Sequence, residues 1–221
     1  MLKQIWETLL NIVYPPKCPG CRTGVDIHGS WCQVCLASVF AVREINVYQH
    51  RLQHLDVCYA VCEYTGGVKR LIHDIKFRQK KKYALHLEWL IDHSAVTARL
   101  PDVDIVLPVP LNTERMSERG YNQTELIFAG WANQQGWLWC ETNLARTRPT
   151  KPQWELKLAE RRQNVKGAFT VTHPDGVAGK NILLVDDIIT SGTTMNECAK
   201  VLKKAGALRV CGLALASGAP Y

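Results

Sequence analysis

Residues 182–194 read ILLVDDIITSGTT, and this stretch decides the fold of the chain. Its four leading apolar residues predict a buried strand that ends at two adjacent carboxylates, Asp186 and Asp187. A short turn rich in glycine and hydroxyl groups follows, and the spacing of apolar residues then predicts a helix from Thr194 to Ala205. Such a strand–turn–helix points several backbone N–H groups and the positive end of the helix dipole at one place. The stretch therefore predicts an anion site that is best suited to a phosphate.

The same stretch excludes two common nucleotide-binding loops. It lacks the spacing and the lysine of a Walker loop, and it has no GxGxxG pattern. Over all thirteen positions it resembles the signature with which type I phosphoribosyltransferases bind phosphoribosyl pyrophosphate (PRPP). The resemblance implies that Asp186 and Asp187 hold the ribose hydroxyls and act as the catalytic carboxylates. It also implies that the 5′-phosphate binds to the turn, at Thr190, Ser191, Gly192, Thr193 and Thr194.

The composition fits one sizeable core with a small appendage. The chain has 221 residues, of which 47% are hydrophobic, and a formal net charge of +7. A positive charge suits anionic partners such as phosphorylated metabolites or nucleic acid. No stretch predicts a transmembrane helix, and residues 1–14 predict an amphipathic helix that packs on the protein's own core or on a partner. We expect a cytoplasmic protein.

Nine cysteines are unusual for a cytoplasmic protein, because disulfides are rare in that compartment. Four of them form two CxxC pairs, Cys18 with Cys21 and Cys32 with Cys35, separated by ten residues. Each pair can occupy a tight knuckle, so that four thiolates converge on one ion, as in structural zinc sites of the ribbon type. So short a stretch cannot fold on its own core, and zinc binding can supply the missing free energy. The spacing predicts a structural Zn²⁺ with no open coordination position.

Between these two motifs, helical and strand patterns alternate along the chain. Helices are predicted at 67–77, 83–99 and 122–135, and strands at 103–110, 139–144, 167–171 and 209–215. Alternation of this kind predicts an α/β fold, with a parallel sheet flanked by helices as in type I phosphoribosyltransferases. We expect three parts: an N-terminal helix with the four-cysteine zinc module at 1–45, a connecting or hood segment with helices at 46–100, and a phosphoribosyltransferase-like core at 101–221.

Two basic clusters supply candidates for binding a pyrophosphate group. One, at 115–123, follows the strand predicted at 103–110. The other runs from residue 144 through residue 169 and includes a proline-containing segment at 147–154 that predicts a mobile loop. Phosphoribosyl transfer needs positive charge near the leaving group and a loop that closes over it to exclude water. The candidate residues are Arg115, Arg119, Arg146, Arg148 and Arg162.

An ordered set of motifs narrows the resemblance. After the CxxC pairs come PVPL, RGYNQ, LARTR and ERRQNVKGAF, and then the stretch at 182–194. In this order they resemble the ComF/GntX family, in which a zinc knuckle is joined to a phosphoribosyltransferase-type domain. The resemblance implies a role in competence-type DNA uptake or in the use of extracellular DNA. It also implies PRPP or a related compound as the ligand, Mg²⁺ that accompanies PRPP in an active enzyme, and single-stranded DNA and DNA-processing proteins as candidate partners.

Three functions stay open at this point. The first is a DNA-utilisation or competence protein that keeps a PRPP-type site, and the second is an active phosphoribosyltransferase in nucleobase salvage. In purine-salvage relatives an acidic residue stands where this chain has Thr190, which leaves the acceptor and a general base unassigned. The third is a zinc-dependent adaptor for single-stranded DNA, in which the tract from Phe77 to Tyr83 supplies cations and aromatic rings.

Overall fold

A computed structural model describes residues 13–148, 150 and 158–218, with only the backbone at 158 and 159. Most of the helix predicted at 1–14 and most of the loop predicted at 147–154 lie outside these residues. The strands are β1 (Phe40–Glu44), β2 (Val57–Glu63), β3 (Ile105–Pro108), β4 (Leu138–Trp139), β5 (Leu144–Arg146), β6 (Phe169–Val171), β7 (Asn181–Ile189) and β8 (Arg209–Ser217). The helices are α1 (Gln33–Val39), α2 (Gly66–Arg78), α3 (Ala84–Asp92), α4 (Thr113–Arg119), α5 (Gln123–Gln134), α6 (Leu158–Val165) and α7 (Thr193–Lys204).

The main sheet is mostly parallel, as the alternating pattern predicts. Its six strands lie in the order β1-β2-β8-β7-β3-β4, and only β1, at one edge, pairs antiparallel to its neighbour. Helices α2, α3 and α5 contribute buried apolar residues to the core on one face, and α7 does so on the other. The predicted α/β class, with helices flanking a parallel sheet, is confirmed. The division of the chain near residue 100 stays a prediction, and the sheet takes strands from both sides of that position.

Two of the predicted strands do not join the main sheet. Strands β5 and β6 pair with each other, antiparallel, as a separate two-stranded sheet, so the expectation that they extend the parallel sheet is wrong. The physical reason is the short connection from β4 at Trp139 to β5 at Leu144, which leaves no room for the crossover that a parallel neighbour needs. Leu144 and Phe169 instead cover the core on the α7 side.

Strand β7 is longer than predicted, and this places the acidic pair within the strand. Its pairing with β8 continues past Val185 through Asp186↔Ala214 to Ile189↔Ser217. Because successive side chains of a strand point to opposite faces, Asp186 and Asp187 project from different faces of the sheet. The expectation from sequence that both carboxylates follow the end of the strand is therefore wrong.

Helix α3 is shorter than the helix predicted at 83–99. It ends at Asp92, and a 3₁₀ turn follows at Thr97–Arg99. The Ser94 hydroxyl donates a hydrogen bond to the carbonyl of Ile91 at 2.7 Å, which gives the backbone a local alternative to a further helical turn. Within the described part of the chain, none of the helices combines the length and the apolar composition needed to cross a membrane.

Candidate functional site

A cavity of about 420 Å³ lies beyond the carboxyl ends of β3 and β7, where ligands bind in parallel α/β sheets. The structure brings most of the predicted site residues together in its wall. They are Asp186, Asp187, Thr190, Ser191, Gly192, Thr193, Thr194, Arg115 and Arg146. The sequence separates these residues by up to 79 positions, and the sheet gathers them at one edge.

The turn that leads into α7 has the geometry of an anion cradle. Gly192 has a positive φ of 69°, and a Cβ atom there would lie 2.7 Å from Cδ1 of Leu52, so this position requires glycine. Helix α7 begins at Thr193, whose hydroxyl lies 2.8 Å from that of Ser191. The N-cap position is the glycine itself and offers no side chain to the free N–H groups of the first turn. A bound phosphate can supply those missing acceptors.

The two carboxyl groups have different partners. The Asp187 side chain is 4% exposed, and its Oδ2 lies 2.7 Å from Nζ of Lys76, whose side chain is 18% exposed. Asp186 accepts a hydrogen bond from the backbone N–H of Asp187 through Oδ1 at 2.8 Å. Burial, together with the neighbouring charge of Asp187, raises the pKa of Asp186 to about 8. Asp187 is buried and Asp186 is partly buried, so the pair holds ionisable oxygen atoms where access of water is restricted.

Lys76 is a site residue that the sequence analysis missed. It lies on α2, more than a hundred positions before the carboxylate that it contacts. One signal could have revealed it: Ile72 is buried four residues earlier, so Lys76 occupies the inward stripe of α2, where the pattern calls for an apolar residue. Tyr64 lines the same cavity, and burial together with the charge of Asp187 raises the pKa of its hydroxyl.

Four cations line the cavity against the two carboxylates. Lys76 and Arg115 are joined there by Arg146 and by Arg161, which the sequence analysis did not select. Arg146 lies over the ring of Phe169 at 5.4 Å, its Nε has no acceptor among the described residues, and burial lowers its pKa. Arg161 donates a hydrogen bond to the Thr190 hydroxyl at 3.2 Å. The excess of positive charge suits a ligand that carries several negative charges.

The other three arginine candidates do not line this cavity. Arg119 lines a neighbouring cavity, also of about 420 Å³, and donates a hydrogen bond to the side chain of Gln123. Arg148 donates to the backbone carbonyls of Asn164 at 3.0 Å and Lys166 at 2.8 Å. Arg162 donates to a backbone carbonyl in the segment between β1 and β2, that of His50, at 3.3 Å. These contacts hold segments of the chain together, and the assignment of these three arginines to pyrophosphate binding stays a prediction.

The loop predicted to close over the site is described only at its edges. Residues 149 and 151–157 lie outside the described part of the chain. Thr150 lines the cavity, and its backbone carbonyl accepts a hydrogen bond from the Asn112 side chain at 3.4 Å. Arg146 also donates to the Thr150 hydroxyl. The prediction of a closing loop stays a prediction.

The four predicted metal ligands form one cluster. The Sγ atoms of Cys18, Cys21, Cys32 and Cys35 all lie within 4.8 Å of one another, and those of Cys21 and Cys32 are 3.5 Å apart. Tetrahedral zinc with Zn–S bonds of about 2.3 Å requires S–S distances of about 3.8 Å, so the donor set and its spacing fit this ion. Hydrogen bonds with Thr23 lower the pKa of Cys21 to about 6, which favours the thiolate that zinc binds. The cluster supports structural zinc.

Gly20 lies at the centre of the first knuckle. A Cβ atom at this position would lie 2.5 Å from Sγ of Cys35, so any larger residue would push the two knuckles apart. The backbone N–H of Gly20 also points to Sγ of Cys18 at 3.4 Å, in the manner of a knuckle that orients its thiolates.

Comparisons with known proteins agree with both halves of this description. Residues 151–218 match the model described as phosphoribosyl transferase domain, and residues 9–48 match the double zinc ribbon domain. A glutamine phosphoribosylpyrophosphate amidotransferase from B. subtilis aligns over 57% of this chain and 24% of its own, at 24% identity. Its TM-score of 0.37 is too low to add to the fold assignment.

Three curated relatives cover most of the chain. DNA utilization protein YhgH of Salmonella typhi is 34% identical over 155 residues, which are 68% of this chain and 67% of that protein. Competence protein F of Haemophilus influenzae is 28% identical over 209 residues, with 91% and 85% of the two chains covered. Competence protein ComFC of Bacillus subtilis is 28% identical over 211 residues, with 91% and 84% covered. With the four-cysteine cluster and the sheet, these matches show that the chain belongs to the ComF/GntX family of DNA-utilisation and competence proteins.

Proposed function

We propose that this protein acts in the use of extracellular DNA or in competence-type DNA uptake, and that its cavity binds PRPP or a related phosphoribosyl compound. The observation that carries the ligand is the convergence of an acidic pair, a glycine-containing turn and four cations on one cavity of about 420 Å³. The names of the relatives, DNA utilization protein and competence protein, support the biological role.

Each part of PRPP has a matching group in the cavity. Asp186 and Asp187 offer acceptors for the vicinal ribose hydroxyls. The turn from Thr190 to Thr194 offers backbone and hydroxyl donors to the 5′-phosphate. Arg115 and Arg146 offer charge to the pyrophosphate, which is the most anionic part of the ligand. The cations of the wall outnumber its carboxyl groups by four to two, and this positive balance favours such an anion.

Magnesium would accompany PRPP. Asp186 and Asp187 would hold the ion, which would neutralise negative charge on the pyrophosphate. Hard carboxylate oxygens are the protein ligands that suit this ion. The protein's own contribution is to orient the ribose and to exclude water.

Binding of a phosphoribosyl compound is better supported than transfer of a phosphoribosyl group to an acceptor. The Thr190 hydroxyl accepts a hydrogen bond from the Arg161 guanidinium, so a cation stands beside the position that carries an acid in purine-salvage relatives. A guanidinium cannot accept a proton from an attacking base nitrogen. We therefore place a phosphoribosyl-binding protein first and an active phosphoribosyltransferase second.

The adaptor hypothesis gains less support from the basic tract. Lys81 lies over the ring of Tyr121 at 4.4 Å, and Lys80 lies over that of Tyr83 at 5.5 Å. Lys80 also pairs with the buried carboxylate of Asp74 at 3.0 Å. These cations and rings already contact each other, so phosphate binding and base stacking would have to replace existing contacts.

A cytoplasmic location fits the cysteines. None of the nine cysteines, all of which lie in the described part of the chain, forms a disulfide, and five of them are buried, including Cys58 and Cys62 on β2. Burial raises the pKa of both of these thiols to about 12, which keeps them protonated and unreactive. A reducing compartment is where a chain with this many free thiols is expected.

Calorimetric titration of PRPP with Mg²⁺ tests the ligand. We expect micromolar binding by the wild type and at least a ~100-fold loss in the Asp186→Asn/Asp187→Asn variant, because the ribose hydroxyls lose their charged acceptors. Asp102→Asn, at an exposed carboxylate away from the cavity, is the matched control and should bind like the wild type. Equal affinity of the wild type and the double variant would contradict the proposed site. Growth of a deletion strain on DNA as nutrient, complemented with each variant, tests the role.

A further inference from the structure

Helix α2 connects the cysteine cluster to the cavity. Its first turn, at Gly67, packs on the cluster, and its last turn carries Lys76 into the cavity. Gly67 and Lys76 are nine positions apart, which corresponds to about 13 to 14 Å at about 1.5 Å per residue, so one rigid helix bridges the two sites. A movement at one end of such a helix is transmitted to the other.

The first turn of α2 is fitted closely to the first knuckle. A Cβ atom at Gly67 would lie 2.8 Å from the ring of Trp31 and 3.2 Å from Cα of Gly20. Trp31 cannot easily move aside, because it is 5% exposed and its indole N–H donates to the carbonyl of His86 at 2.9 Å. One turn later, Arg70 donates to the carbonyl of Gly20 at 3.1 Å and to that of Pro19. Pro19 and Gly20 lie between Cys18 and Cys21, two of the predicted zinc ligands.

The last turn of α2 is fitted closely to the acidic pair. The Lys76 ammonium reaches Asp187 at 2.7 Å, and both side chains are largely removed from water. In the same turn the carbonyl of Ile75 accepts a hydrogen bond from the Tyr121 hydroxyl at 2.5 Å. A buried ion pair offsets the loss of hydration only when its geometry is good. A small shift of α2 along its axis would therefore disturb the ion pair between Lys76 and Asp187.

We propose that the zinc-loaded cysteine module is a positioning element of the phosphoribosyl site. Through Trp31 and the first knuckle it fixes α2, so that Lys76 holds the Asp187 carboxylate ready for the ribose hydroxyls. Lys76 is then a positioning residue that acts through Asp187. The inference rests on the proposed function for its ligand, PRPP. By linkage, PRPP binding must strengthen retention of zinc by the same factor with which zinc strengthens PRPP binding.

Two glycine-to-alanine substitutions distinguish an effect on the packing of the cysteine module against α2 from an effect on the folding of the module. Gly67→Ala places a methyl group against Trp31, whereas Gly24→Ala, in the same module, meets no atom within 4 Å. Both variants keep the four cysteines and should retain one zinc per chain. Alanine is the better helix former, so Gly67→Ala cannot weaken α2 by propensity. We expect PRPP affinity to fall about 10-fold in Gly67→Ala and to stay unchanged in Gly24→Ala, and equal affinities would overturn the inference.

Variants of Lys76 identify the route of the coupling. Lys76→Gln should lower the affinity for ribose 5-phosphate about 10-fold. The affinity for inorganic phosphate, which needs only the turn, should stay unchanged. Lys76→Arg should restore part of the lost affinity for ribose 5-phosphate. General structural damage would weaken both probes. The Gly67→Ala/Lys76→Gln double variant should lose no more affinity than Lys76→Gln alone, because both changes remove one interaction. Additive losses would show that the module acts by another route and would overturn the role of Lys76.

Hydrogen exchange distinguishes this inference from the proposed function. If the wild type binds no PRPP, the proposed ligand is wrong, but the coupling can still be measured without any ligand. Gly67→Ala should then increase amide exchange at the C-terminal end of α2 and in residues 186–194 relative to Gly24→Ala. Unchanged exchange in both segments, with zinc retained, would overturn the coupling.

Discussion

The cysteine cluster and the cavity beyond the carboxyl ends of β3 and β7 are assembled in opposite ways. The cluster takes all of its ligands from residues 18–35, and binding of one ion would stabilise it. The cavity takes its wall from β7, α2, α6, the start of α7 and the segment after β3, and it holds two adjacent carboxyl groups, one buried and one partly buried. Burial of those groups opposes folding, whereas metal binding favours it. The cluster therefore forms from a local motif that metal binding can stabilise, whereas the cavity depends on long-range packing that must offset the burial of charged groups.

The largest effect is expected at the cluster. Cys21→Ser removes one of four thiolates, so zinc content should fall from one ion per chain to nearly none and the module should become sensitive to protease. Apparent binding energies of about 10–16 kcal/mol for structural zinc make this loss larger than that of a hydrogen bond or a single charge. Metal analysis and limited proteolysis measure it. Cys140→Ser, at a partly exposed cysteine outside the cluster, is the control. Full zinc content in Cys21→Ser would contradict the four-cysteine site.

The next effect separates two neighbouring arginines on α6. Arg161 lines the cavity and donates to the Thr190 hydroxyl, whereas Arg162 donates to the carbonyl of His50. Arg161→Met should weaken PRPP binding about 10-fold, the loss expected for one charge-assisted hydrogen bond. Arg162→Met should leave PRPP affinity unchanged, and calorimetry on both variants measures the difference. A larger loss in Arg162→Met would restore the sequence-based selection of that residue.

How far the sequence predicts each region depends on the distance between its residues. The cysteine cluster and the turn at Gly192 depend on spacing within short segments, so the sequence predicts both. Lys76 was missed because it meets Asp187 only after the sheet has formed. The sequence analysis selected Arg162 and not Arg161, which lines the cavity, because the phase of α6 cannot be read from a segment with little apolar periodicity.

The length of β7 was underestimated because charged residues usually mark the end of a buried strand. Pairing with β8 on one side continues to Ile189, and this overrides the local preference of the two carboxylates. The same misjudgement concealed that Asp186 and Asp187 face different partners. Long-range pairing, which the sequence does not show, therefore set the electrostatics of the site.

The effect expected at Asp186 has the opposite sign to that at the cluster. Burial and the charge of Asp187 raise the pKa of Asp186 to about 8, whereas an unfolded aspartate has a pKa of about 3.9. Between these values the folded state binds more protons than the unfolded state, so this group lowers the free energy of unfolding as pH rises from about 4 to about 8. The side chain in Asp186→Asn cannot ionise, so the variant should have a higher Tm at pH 8 than the wild type. The expected rise is about 2–4 °C for each kcal/mol by which the free energy of unfolding increases.

The gain should shrink towards pH 4, where the wild-type carboxyl is largely protonated in the folded state and no longer favours unfolding. Thermal unfolding of wild type and Asp186→Asn between about pH 4 and pH 8.5 measures it, and Asp102→Asn controls for the loss of one surface charge. A lower Tm in Asp186→Asn at pH 8 would show that the carboxylate stabilises the empty protein, and the contrast between the two regions would then fail. A higher Tm together with lost PRPP binding would show that the Asp186 carboxyl lowers the stability of the protein and raises its affinity for PRPP.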